Sequence, residues 1–140
     1  MSDLLNPTQK NLLRITLRRF EENLLHAQAW LDGNEEKGVL YQRKLTLSKK
    51  AREQAEPQIK AALDLIEKVS HDFDLPTESE NSAALVSAEM SISWADLLDS
   101  RASELKRSGR VHPELSGVLD PSIQTLATIA LALRTIFDEK

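Results

Sequence analysis

The sequence has no cysteine, only four glycines, and six aromatic residues (two Trp, one Tyr, three Phe) in 140. The lack of thiols excludes disulfide frameworks, thiolate zinc sites and cysteine nucleophiles together. The few glycines form neither a phosphate-binding loop, a dinucleotide fingerprint nor a Gly-x-Ser-x-Gly nucleophile turn. No run of eighteen apolar residues occurs. The nearest approach, 123–137, is broken by Gln124, Thr125, Thr128, Arg134 and Thr135, and it reads as too short and too polar to span a bilayer. Neither charge sign dominates. Eighteen Lys and Arg against 22 Asp and Glu give a net charge of −4, without the basic face that nucleic-acid binding draws on. The opening Met-Ser-Asp-Leu-Leu-Asn-Pro has no basic n-region or small-residue cleavage site. Asp138-Glu139-Lys140 is not a lipidation signal. The expectation is a cytoplasmic protein with no membrane and no nucleic-acid partner.

Apolar residues make up 41% and charged residues 29%, the composition of a folded globular domain. The length fits a single domain over 1–140. Asn6, Pro7 and Gln9 supply an N-cap, a proline at N1 and a capping-box acceptor. The first helix then runs to Asp32, with Gly33 as its left-handed stop. Leu13, Leu17, Phe20, Leu24, Ala27 and Leu31 form its seam. A second helix is expected from Asn34 or Gly38 to about His71, with Ala55, Ile59, Ala62, Ile66 and Val69 in frame. Pro57 removes one amide and clashes with the preceding turn, so a kink is expected there.

After the polar stretch 75–80, Asn81 or Ser82 caps a third helix reaching Ser108 and Gly109. Its seam is Leu85, Ala88, Ile92, Ala95, Leu98, Ala102 and Leu105. Asp120 and Pro121 repeat the cap-plus-proline start for a fourth helix ending near Phe137. No strand signal competes. These elements predict an all-α fold, an antiparallel up-down-up-down four-helix bundle with helix two long and kinked near Pro57.

At about 1.5 Å per residue the second helix outreaches the others, leaving the first hairpin (21–47) without cover. That hairpin carries Leu24, Trp30, Leu31, Leu40, Tyr41 and Leu45. These six are the candidate interface, with Trp30 as anchor. The fourth helix, apolar on most sides, is the second candidate contact. Arg52 is expected to pair with Asp99 or Glu104.

Catalytic and metal chemistry find little support. Di-iron bundles need Glu-x-x-His on two helices, but Glu22 precedes His26 by four and neither His71 nor His112 has a Glu at three. His26 and His112, with Glu21, Glu22 or Glu114, are left as a weak metal candidate. No cofactor and no catalytic residue is expected. The resulting reading is a non-catalytic, self-associating interaction module, a homodimer with an unidentified protein partner also open. The alternative is a binder of a small apolar ligand or effector enclosed between helices.

Overall fold

A computed structural model describes residues 4–139 of the chain. Met1–Asp3 and Lys140, on which the leader and lipidation readings partly rest, lie outside the described residues. The fold is all-α apart from one minimal hairpin. The chain divides into two compact units, Met1–Glu78 and Ser79–Lys140.

The first unit is a helical hairpin. Helix α1 spans Pro7–Leu31, and its start is the one the sequence spells out. The Asn6 side chain accepts from the Gln9 amide at 2.8 Å, and the Gln9 side chain accepts from the Asn6 amide at 2.9 Å. Gly33 takes φ +96°, which a side chain would strain. Helix α2 spans Lys49–Asp72 and contains Pro57 in its interior. It starts later than expected because Ser48 caps it, its side chain accepting from the Ala51 amide at 3.1 Å. The residues before it form β1 (Glu36–Lys37) and β2 (Gln42–Arg43), paired antiparallel with Glu36 opposite Arg43. Helix α2 is therefore 24 residues long, about 36 Å, and a β-turn rather than a longer rod forms the projecting end.

The unit's core is small. Leu24, Leu31 and Ile59 are buried, with Ala27, Leu45, Ala55, Ala62, Leu63 and Ile66 packed partly around them. Within the first unit Arg52 has a backbone acceptor. Its guanidinium donates to the Leu31 carbonyl at the C-terminus of α1, where free carbonyls and the helix dipole both favour a cation. Glu104, one of its expected partners, pairs with Arg107 at 2.9 Å. Two residues past the end of α2, Asp74 turns the chain at φ 53°, and the Leu75 amide donates back to the Ser70 carbonyl.

The second unit pairs α3 (Ala83–Leu98) with α5 (Leu115–Phe137). The expected long third helix breaks at Asp99–Arg101 and resumes as the single turn α4 (Ala102–Leu105), followed by a 3₁₀ turn at Lys106–Ser108. Asp120 stabilises the restart of the helix after the break. Its carboxylate accepts from the Ala102 amide at 2.8 Å and so caps α4. It is therefore not the cap of its own helix, which begins at Leu115 and contains Pro121 in its interior. Ala127 and Ala130 are buried, and small side chains at a helix crossing permit close axial approach.

Candidate functional site

The six interface candidates separate into two groups. Leu24 and Leu31 are 9% and 6% exposed and belong to the core of their own hairpin, with Leu45 packed against them. Trp30 is half-buried and lines a cleft with His26, Glu36 and Arg43. Leu40 and Tyr41 sit at the β-turn and remain accessible.

That turn is chemically odd. The Gly38 amide donates to the Tyr41 carbonyl at 2.9 Å, which places Val39 and Leu40 at the apex. They are 101% and 96% exposed. Two-residue hairpin turns favour Asn-Gly or Gly-x with positive φ, yet neither residue has it. Two large apolar side chains thus stand in water where turn geometry favours small polar ones. Beneath them Tyr41 donates to Glu36 at 3.1 Å, and the Arg43 guanidinium lies 5.8 Å from its ring centroid. The ring packs over Gly38, at ordinary contact distance from where a Cβ would stand.

The Glu36 carboxylate, as hydrogen-bond acceptor and negative charge, raises the Tyr41 pKa above its ordinary value of 10.0. Tyr41 is the sole tyrosine, so phenolate absorbance reads it directly. Its titration midpoint is expected above that of free tyrosine, and Glu36→Gln should bring it down. The sign follows from linkage: the contact holds below the unfolded pKa and is lost as pH rises through the folded one. An unshifted midpoint in the parent rules out the Tyr41–Glu36 bond.

A second feature lies in the groove between α1 and α2. A cleft of about 450 Å³ has Leu17, Leu63, Ile66 and Leu75 among its lining residues. Charged groups dominate the rest: Glu21, Glu22, Asp64, Glu67 and Glu78 against Arg14 and Arg18. Arg14 holds Glu78 at 3.0 Å, which pins the segment after α2 along the groove. Sequence reading missed this cleft, because its charges are spread over residues 14–78 and converge only in the folded hairpin.

In the second unit the expected seam of α3 divides. Leu98 is half-buried and Ala102 buried, but Leu85, Ala88, Ile92, Ala95 and Leu105 are exposed. The other half-buried positions of α3 are Ala83, Val86, Ser87, Met90, Ser91, Trp94 and Leu97. Ser87 donates to the Arg134 carbonyl of α5 at 3.5 Å. Helix α5 likewise leaves Leu126, Ile129 and Ile136 exposed. Helix α3 therefore carries an unburied apolar stripe at the 3-4-3 spacing of a packed helix, and α5 an exposed one spaced 3 and 7, with Leu133 between them half-buried. Because α5 begins at Leu115, it is also long and apolar enough to cross a membrane by length and composition. The span is eight residues longer than the 123–137 stretch read from the sequence.

The metal candidates do not assemble. His26 lies in the Trp30 cleft, and His112 Nδ1 accepts from the Glu114 amide at 3.1 Å. Among the described residues no group of three or more His, Asp or Glu side chains could hold a metal ion. Searches of protein-family models, curated proteins and solved structures return no match to this chain.

Proposed function

We propose that the protein is a non-catalytic helical interaction module that associates with itself as a homodimer, chiefly through the α3 and α5 stripes. The observation that carries the reading is surplus surface. The chain exposes 11189 Å². Two separate compact proteins the size of its two units would expose about 9,000 Å² between them. The surplus, roughly 2,000 Å², is in the range a protomer buries in a large permanent dimer interface. It coincides with large apolar residues on every helix of more than one turn, Leu12 and Ile15 on α1 and Leu65 on α2 included. In this reading the antiparallel four-helix packing expected from the sequence is completed between copies, α3 and α5 of one against those of the other.

The alternative, a small apolar ligand enclosed between helices, has less support, since both clefts described above are open and bordered by charged side chains.

Light scattering on the full chain tests the proposal. Twice the 15.7 kDa chain mass is expected, with a Tm that rises with protein concentration, as mass action requires. A chain that stays at monomer mass throughout the micromolar range, with a constant Tm, overturns it.

A further inference from the structure

We propose that the β-turn apex of one copy, Val39 and Leu40, seats in the α1–α2 cleft of the other copy, and reciprocally. This rests on the self-association reading and names a second contact within it.

Two complementary surfaces on the same unit carry the inference. The first is the projecting turn. Its two apical side chains are almost fully exposed, and its sequence is poor for the turn it makes. Its surroundings are basic. Residues 34–52 hold six Lys and Arg and two Glu, a balance of +4, while the rest of the chain holds 12 and 20, a balance of −8. Lys37, Arg43, Lys44, Lys49 and Lys50 are all exposed.

The second surface is the cleft. Five carboxylates and two guanidiniums line it, a balance of −3, around an apolar floor of leucine and isoleucine. An apolar knob with a basic collar therefore matches an apolar hollow with an acidic rim. The cleft's 450 Å³ is in the size range of pockets that take small groups, adequate for two aliphatic side chains.

Spacing permits reciprocity. From Leu31, where α1 ends, to Arg18 in the cleft is thirteen residues, about 20 Å of helix. Two hairpins lying antiparallel, with an overlap set by that length together with the reach of residues 32–40 beyond it, place each turn at the other's cleft. The contact is then the same patch on both copies, so it closes into a dimer instead of propagating. Complementary charge would steer and register the encounter, and the apical side chains would supply buried apolar area.

The test exploits that symmetry. In one variant the collar is reversed from +4 to −2, Lys37→Glu with Lys44→Glu and Lys49→Glu. In another the rim is reversed, Glu21→Lys with Glu67→Lys. Each is expected to weaken its own homodimer about tenfold, measured by sedimentation or light scattering. Mixing the two should restore the dimer, because each turn then meets a cleft of opposite sign. A third variant, Leu40→Asp, alters a side chain outside the fold and should weaken the dimer without changing helix content.

Failure is distinguishable at each step. A monomeric parent overturns the self-association reading and this contact with it. A dimeric parent whose affinity ignores all three variants overturns the contact alone, as does a mixture that fails to recover. Binding of the parent to vesicles rich in anionic lipid, lost in Leu40→Asp while the dimer is unchanged, assigns the turn to a membrane surface and likewise overturns it.

Discussion

Replacing Ile92 and Ile129 together by glutamate is expected to leave the chain monomeric at concentrations where the parent is a dimer. The two residues lie on the unburied stripes of α3 and α5. In a symmetric pair each is counted twice, so four isoleucines leave the interface. At about 1.5–3 kcal/mol for each large apolar side chain buried, the dimer should weaken at least about a thousandfold. Four carboxylates placed in an apolar contact add a desolvation penalty in the same direction. The turn-and-cleft contact is untouched by these substitutions and so cannot offset the loss. Far-UV circular dichroism should not change, since neither side chain is buried within its own chain and surface substitutions ordinarily cost under about 0.5 kcal/mol. The concentration dependence of Tm should vanish with the dimer. A variant that keeps dimer mass shows that these stripes are not the interface. One that loses helix content shows that they are packed within the chain.

The first helix was legible because three local signals agreed. Asn6, Pro7 and Gln9 set its start, Gly33 its stop, and a 4-3-4 seam its packed face except at Phe20, which is 49% exposed. Helix α3 was not, for a reason specific to its composition. It is apolar nearly all round, so two stripes fit a helical period equally well. The sequence stripe Leu85, Ala88, Ile92 and Ala95 is real, but the face half-buried in the fold holds Ser87, Ser91 and Trp94. Periodicity identifies an apolar face, and the partner decides which of two is covered. Asp120 misled in another way. A residue of capping type beside a proline reads as a helix start, but its carboxylate caps Ala102, eighteen residues earlier in the chain. Such a long-range bond leaves no local trace. Gly38 to Tyr41 resembled the start of a helix because Val39 and Leu40 are not turn formers. Of the candidate surfaces, the exposed turn residues Leu40 and Tyr41 could be picked out from hydrophobicity. The acidic cleft could not, since its carboxylates come from both helices and the segment beyond them.

Leu31→Ala should lower the stability of the first unit by about 2–5 kcal/mol, the range for leucine truncation in a packed core. The upper part of that range is expected. Among the described residues the buried apolar side chains of this unit are Leu24, Leu31 and Ile59, so each makes up a large share of the cluster. Leu31 also stands on the last turn of α1, where the chain leaves for the β-turn. A cavity there loosens both the helix end and the seat of Leu45. The Arg52 bond offers no relief and suffers no direct loss, because its acceptor is the backbone carbonyl of Leu31 rather than the side chain. Leu31→Met separates volume from position. Methionine nearly conserves the volume and should cost under about 1.5 kcal/mol. Amide hydrogen exchange within Pro7–Leu31 and Lys49–Asp72 reads the effect where it arises. The alanine variant should shed most of its protection there, while the methionine variant keeps it. Equal protection in parent and alanine variant means that Leu31 is not part of the core that holds α1 against α2.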